Sequence, residues 1–162
     1  MVEGGFDVSI RIRSAMRDST LIARKIGTIN QGIFAAPRYL EAVGVPTTPE
    51  EILRHKVIGF LLSDHLTTWE IEGPDGPCTL TVDPSVRVGS SIVLRDLLIA
   101  GAGIGTLPSF VSAAPVARGE LVPLLPDYRF AQRDICAVTA ARLGMDVRVS
   151  AFLDHLKGAL KG

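Results

Sequence analysis

Residues 90–110, SSIVLRDLLIAGAGIGTLPSF, predict more of the fold than any other part of the chain. Two serines, which can accept bonds from free backbone N–H groups, precede apolar residues spaced three and four apart, as on one helix face. Gly101 and Gly103 suit the left-handed close of that helix, and residues 104–107 have the apolar composition of a strand buried on both faces. Pro108 then suits the opening of a second helix.

The two predicted helix starts, at Ser90 and Ser91 and just after Pro108, indicate a small-anion site without a catalytic group. One helix terminus adds only about 0.3–1 kcal/mol for an exposed anion, so useful affinity also needs an arginine with bidentate geometry. Arg11 and Arg13 close an alternating strand, and ligands of open α/β sheets gather beyond the carboxyl ends of strands. Solvated surface arginines are the alternative interpretation of both residues.

Two other interpretations of the opening stretch fail. The three glycines of residues 101–105 resemble a dinucleotide-binding motif, but they follow a helix and precede a strand, which is the reverse of the required order. Residues 97–117 carry no charge and are long enough to cross a membrane. They also hold three glycines, two prolines, two serines and a threonine, a composition that favours helix–strand–helix in a protein core.

Composition excludes several functional classes. The chain has 17 basic and 17 acidic residues in 162, so it lacks the basic excess expected of a nucleic-acid binder. A hydrophobic fraction of 47% is ordinary for a globular protein. Cys78 and Cys136 are far apart, which predicts reduced thiols and a cytoplasmic location. The first residues lack the form of a signal peptide.

No catalytic or metal-binding pattern emerges from the sequence. His55, His65 and His155 lie in separate contexts without metal-ligand spacing, and Ser90 is not in a G-x-S-x-G elbow. An enzyme would show a nucleophile–base pair or a metal cluster. We therefore predict a binding protein rather than an enzyme, with no cofactor and no metal.

The order of elements predicts an α/β fold with a largely parallel sheet. Alternating or apolar runs predict strands, and a proline–glycine turn at residues 73–76 predicts a hairpin. The predicted strands are residues 6–12, 21–26, 29–35, 57–62, 69–72, 78–82, 86–88, 104–107, 121–125 and 135–141. Helices are predicted after Pro37, after a capping box at residues 48–51, through residues 91–100 and 112–118, and near the end of the chain.

The chain resembles the effector-binding domain of LysR-type transcriptional regulators along nearly its whole length. Six segments occur in the family's order, and no single one decides the resemblance. They are GFDVSIRI at residues 5–12, DSTLIAR at 18–24, AAPRYL at 35–40 with TPEEILRH at 48–55, the opening stretch through Pro108, GELV at 119–122, and VSAFLDHL at 149–156.

The resemblance implies a type II periplasmic-binding-protein-like fold, with two Rossmann-like lobes joined by two crossovers and a small effector in the cleft. It places Arg11, Arg13, Ala36 and Pro37 at the first crossover. Ser90, Ser91, Leu107, Pro108 and Ser109 would form the second lobe's share of the site. The family usually carries glycine at the position of Arg13, so this arginine either narrows the cleft or adds a charge to it.

The resemblance also implies that family elements preceding residue 1 are missing from this chain. These are an N-terminal winged helix-turn-helix and the opening elements of the first lobe. Residues 1–34 and 142–162 would form a partial first lobe, and residues 35–141 the second lobe. By this interpretation the chain reaches DNA only through the helix-turn-helix of a longer protein, which is expected to oligomerise.

Three functions fit these observations to different degrees. The leading hypothesis is the effector-sensing domain of a bacterial LysR-type regulator in the cytoplasm, with a small molecule as its partner and no membrane contact. A solute-binding protein for transport is disfavoured by the lack of a signal peptide or lipid-attachment cysteine near Met1. An enzyme on the same fold is disfavoured by the lack of a general base.

The partial first lobe generates a testable prediction. We expect exposed apolar surface on the strand at residues 6–12 and on the helix face that carries Phe152 and Leu156, covered by a partner chain or left locally disordered. Hydrogen exchange should therefore be fast in the first lobe of the isolated monomer. A monomer with a fully protected first lobe would contradict the prediction.

Overall fold

The computed structural model describes residues 8–13, 21–62, 66–140 and 146–159. The chain forms two compact units, unit 1 from Met1–Ile29 with Gln132–Gly162 and unit 2 from Asn30–Ala131. Both combine helices with sheets, which confirms the predicted α/β class. Within the described residues, no helix is long and apolar enough to cross a membrane.

The described residues form eleven strands and four α-helices, which are labelled in chain order. The strands are β1 (Ser9–Arg13), β2 (Leu21–Ile29), β3 (Gln31–Ala35), β4 (Val57–Phe60), β5 (Thr68–Gly73), β6 (Gly76–Thr81), β7 (Val86–Val88), β8 (Ile104–Pro108), β9 (Val122–Leu124), β10 (Arg129–Phe130) and β11 (Arg133–Ala140). The α-helices are α1 (Pro37–Val43), α2 (Ser91–Ile99), α3 (Ser109–Ala117) and α4 (Val147–Ala159), and a 3-10 helix spans Pro49–Arg54.

Unit 1 contains a three-stranded antiparallel sheet in the order β1-β11-β2. Among the described residues of unit 1, Ile26 and Ala137 from the sheet form a buried cluster with Val149 and Leu153 of α4. In the described part of the strand predicted to be exposed, Ile10 and Ile12 are 47% and 41% exposed. The predicted exposure is therefore confirmed for these residues.

The apolar face of α4 that was predicted to be exposed is only partly exposed in the structure. Phe152 is 50% exposed, whereas Leu153 is buried and Leu156 is only partly buried. Phe6, the first residue of the strand predicted to be exposed, lies outside the described residues. Coverage of the exposed side chains by a partner chain stays a prediction.

Unit 2 is built on a five-stranded sheet in the order β7-β4-β8-β3-β9. β7, β4 and β8 pair in parallel, while β3 is antiparallel to both β8 and β9. The prediction of a largely parallel sheet therefore holds for β7, β4 and β8 but not for the pairs that include β3. β3 follows β2 of unit 1 directly rather than through a helical crossover, so the rule that makes βαβ strands parallel does not apply to it.

The two faces of this sheet are covered by different elements. On one face, the β5–β6 hairpin contributes Trp69, Ile71 and Leu80 to a buried cluster with Ile104 of β8. On the other face, Leu94 and Leu98 of α2 pack with Leu107 of β8. Residues four apart lie on the same side of a helix, so α2 presents its leucines to the sheet as the spacing predicts.

Local predictions from turn and cap residues had mixed outcomes. The hairpin is confirmed, since β5 and β6 pair from Thr68 with Thr81 down to Gly73 with Gly76. The short helix predicted after the capping box at residues 48–51 is confirmed, but the predicted cap contact of the Thr48 side chain is wrong. The Thr48 side chain makes no cap bond, and Glu51 Oε2 instead accepts from Thr47 N at 2.6 Å. The helix that follows is a 3-10 helix, which suits its short length.

The units divide at residues 29/30 and 131/132, earlier than the predicted divisions at 34/35 and 141/142. β3 pairs with β8 and β9, which places residues 31–35 in unit 2. β11 pairs with β1 and β2, which places residues 133–140 in unit 1. The predicted limits differ because strand pairing, which a single sequence does not reveal, assigns these two strands.

Two glycines shape the turn from α2 into β8. Gly101 has φ of +74°, the left-handed conformation predicted for a helix close. Gly103 is needed for a different reason, since a β-carbon there would collide with the backbone carbonyl oxygen of Lys56. That oxygen accepts a 2.8 Å hydrogen bond from Ile104 N–H, so it cannot move away without losing β4–β8 contact.

We expect Gly103→Ala to destabilise the chain by about 1–3 kcal/mol, because the new methyl group overlaps backbone rather than a flexible side chain. Urea denaturation measures the change. Gly89→Ala is the matched control, since a β-carbon at Gly89 meets nothing within 4 Å. Equal loss of stability in the two variants would contradict the proposed overlap.

Candidate functional site at the carboxyl edge of the unit 2 sheet

The parallel strands of unit 2 bring three chain segments to one edge. β7, β4 and β8 run in the same direction and end at Val88, Phe60 and Pro108. Leu61 N–H donates to the Val88 carbonyl at 2.8 Å, which ties the segment after β4 to the one that leads into α2. Open α/β sheets bind ligands beyond such carboxyl ends. We call this side the carboxyl edge.

α2 starts at this edge with two serines whose hydroxyls have no role in the helix. Ser90 occupies the N-cap position and its carbonyl accepts from Leu94 N–H at 2.9 Å, but its side chain makes no cap bond. The hydroxyl capping expected from the sequence is therefore wrong at Ser90. Ser90 and Ser91 are both partly buried, and their hydroxyls have no hydrogen bond within the described residues.

At the start of α3, polar groups of Ser109 already have hydrogen-bond partners within the protein. Ser109 N–H donates to the Asn30 carbonyl at 2.9 Å, and Ser112 Oγ donates to the Ser109 carbonyl at 3.4 Å. Pro108 pairs in register with Gln31, so the first residues of β3 also lie at the carboxyl edge. Ser109 is exposed and Pro108 is partly buried. Of the two helix starts, α2 is therefore the one whose serine hydroxyls have no hydrogen-bond partner among the described residues.

Three predicted site residues lie elsewhere in unit 2 or are buried. Leu107 is 0% exposed and packs between β8 and α2, so its side chain serves the core. Ala36 is 2% exposed. Ala36 and Pro37 follow the end of β3, and β3 is antiparallel to β8, so both lie at the edge opposite to Ser90 and Pro108. The sequence could not show the direction of β3, which separates these residues.

The two predicted arginines belong to unit 1. Arg11 is partly buried in the middle of β1, opposite Cys136, and its Nε donates to Ser9 Oγ at 3.3 Å. Arg13 ends β1 opposite Asp134, and its side chain lies outside the described residues. Both therefore stay predictions as ligands of an anion.

Sequence reasoning missed the exposed apolar side chains of the carboxyl edge. Leu61 and Leu62 follow β4 and are 53% and 73% exposed. Ile92 and Phe110 are the second residues of α2 and α3 and are 46% and 66% exposed. We call these four side chains the apolar rim. The sequence predicts Leu61 and Leu62 as the last residues of the strand at 57–62. In the structure that strand ends at Phe60, so both leucines lie beyond it and are exposed.

A separate surface pocket of about 240 Å³ lies beside the end of α1 and includes Glu51, Arg54 and His55. Burial lowers the pKa of His55, and the neighbouring Glu51 opposes this effect. Its Nδ1 lies 3.3 Å from the Tyr39 hydroxyl, whose oxygen accepts from Lys56 N–H at 3.0 Å. The contacts of His55 thus explain a structural role, and the pocket contains none of the predicted site residues.

Comparison with known proteins identifies the chain's family. The family model described as LysR substrate binding domain matches residues 1–161. The chain belongs to the LysR family. Its fold is similar to the CrgA regulatory domain of Neisseria meningitidis, a LysR-type transcriptional regulator, with TM-score 0.83 and 30% identity over 95% of this chain and 75% of that one. This likeness confirms the type II periplasmic-binding-protein-like fold class.

Other relatives in the LysR family are also transcriptional regulators. The regulator PtxR of Pseudomonas aeruginosa is 33% identical over 93% of this chain and 48% of its own length. The full-length structure of AphB, a virulence activator of Vibrio cholerae, has TM-score 0.80 and 26% identity over 95% of this chain and 52% of that one. This LysR domain thus spans about half the length of the curated relatives it matches.

The uncommitted hydroxyl of Ser90 in this LysR domain generates a prediction about stability. Replacing an N-cap serine that bonds the helix costs about 1 kcal/mol. Because Ser90 makes no such bond, Ser90→Ala should change the free energy of unfolding by less than about 0.5 kcal/mol. Urea denaturation measures it, and a loss of about 1 kcal/mol would show that the hydroxyl caps α2 after all.

Proposed function

We propose that this chain is the effector-sensing domain of a bacterial, cytoplasmic LysR-type transcriptional regulator, and that a small molecule binds at the carboxyl edge of unit 2. The match of a substrate-binding family model to residues 1–161 carries the proposal. The likeness to regulatory domains of named transcriptional regulators supports it. The residues proposed to contact the effector are Ser90, Ser91, Pro108 and Ser109.

The arrangement of α2 gives these residues a chemical role. The first N–H groups of a helix lack partners within the helix and carry partial positive charge. At the start of α2 they lie beside the hydroxyls of Ser90 and Ser91, which can donate to the same acceptor group. A carboxylate or another oxygen acceptor of the effector would therefore be held by several weak donors together.

Sensing requires that the effector prefer one conformation of the regulator. A ligand shifts an equilibrium only by its difference in affinity for the two states, and the coupling acts equally in both directions. In this proposal, the effector favours one conformation and so changes the DNA affinity of the longer regulator. The change acts through its helix-turn-helix segment and its oligomeric assembly. The effector then changes transcription without any chemical reaction in this domain.

Hydrogen exchange of the chain with a stabilising small carboxylate tests the location of the site. We expect slower exchange of the backbone N–H groups at residues 91–94 and 110–112, because they begin α2 and α3 at the carboxyl edge. The β6 strand should not change. The double substitution Ser90→Ala with Ser91→Ala should remove the effect.

The control is Ser85→Ala, since Ser85 bonds the Val57 carbonyl near the start of β4 rather than at the carboxyl edge. Protection confined to the pocket that includes Glu51 and His55 would contradict the proposed site. A signal peptide encoded upstream, in place of a helix-turn-helix, would contradict the regulator itself.

A further inference from the structure

The carboxyl edge is unusual for a surface because it combines exposed apolar side chains with polar groups that carry no charge. The described residues that meet there are 30–31, 60–62, 88–92 and 107–110, and none of them carries a charge. Four of their large apolar side chains form the apolar rim and are between 46% and 73% exposed. Apolar side chains grouped at one place on a surface mark recognition sites.

The geometry places the rim next to the uncommitted polar groups. Ile92 directly follows Ser91, and Leu61 is bonded to Val88, two residues before Ser90. Phe110 begins α3 after β8, and β8 is two strands away from β7 in the sheet, a separation of about 10 Å. A molecule of modest size can therefore contact the serines and rim residues together.

Among the described residues of the carboxyl edge, this pattern favours one ligand class over the others. A molecule with several negative charges needs cationic partners, since a helix start by itself holds an exposed anion only weakly. A polyol would leave the rim exposed to water. A body of aliphatic or aromatic carbon with a single acceptor group would cover the rim and also reach the donors at the start of α2.

We propose that the effector is a small amphipathic molecule, with an aliphatic or aromatic body against Leu61, Leu62, Ile92 and Phe110 and one carboxylate-like acceptor at Ser90 and Ser91. This inference rests on the proposed function and adds the chemical class of its ligand. It assigns the rim residues to specificity and the serines to orientation of the acceptor.

Calorimetric titration and thermal denaturation of the chain with four probes test the class. The probes are hexanoate, benzoate, succinate and citrate at matched ionic strength. Hexanoate or benzoate should bind and raise Tm, whereas succinate and citrate should not exceed the effect of sodium chloride. Removal of rim contact by Leu62→Gln or Ile92→Gln should weaken binding about tenfold, as expected when apolar contact area is lost.

The matched control is Leu53→Gln, which makes the same exchange at a leucine that is 53% exposed before β4 begins, away from the carboxyl edge. It should bind hexanoate and benzoate like the unsubstituted chain. Equal weakening by Leu53→Gln would overturn the assignment of the rim. Circular dichroism of each variant verifies that helix content is unchanged.

The remaining outcomes separate this inference from the proposed function. If succinate or citrate binds more tightly than benzoate and Ser90→Ala weakens that binding, the apolar class is overturned and the effector site stands. If none of the four probes binds, this inference is overturned, whereas the regulator itself is tested separately by the segment encoded upstream. If the chain self-associates and Ile92→Gln disperses it without affecting any probe, the rim is a contact between copies and the inference is overturned.

Discussion

The structure of unit 2 depends on β8, which pairs with β4 on one side and β3 on the other. Its side chains alternate between the two cores, with Ile104 packed on the hairpin face and Leu107 on the α2 face, both 0% exposed. Burying each such side chain is worth about 1.5–3 kcal/mol. Because β8 joins both cores and lies parallel to β4, the strand ends that precede α2 and α3 come to the same edge.

The position of the candidate site follows from the pairing of β8 with β4 and β3. Leu94 and Leu98 pack α2 against the sheet. Ser90, Ser91 and Ile92 lie at the start of the helix and are not part of this core. The same holds for Phe110, which is exposed although the next residue, Val111, is buried in the core. Substitutions at these positions are therefore expected to cost little stability.

Much of the fold was predictable because its signals are local. The leucine spacing of α2, the turn between β5 and β6, and the left-handed Gly101 each depend on neighbours in the chain. The contacts of the cap residues were not predictable. Ser90 and Thr48 are residue types that cap helices, yet neither side chain makes a cap bond, because residue type alone does not fix the direction of the side chain.

The sequence by itself determined the family, the α/β class and most elements of unit 2, and it is the source of the proposal that Ser90, Ser91, Pro108 and Ser109 are site residues. Tertiary structure decided the rest. The antiparallel direction of β3 placed Ala36 and Pro37 at the other edge, and burial removed Leu107 from the surface. It also exposed the apolar rim. Strand direction and exposure depend on contacts between residues far apart in the chain, which local spacing does not encode.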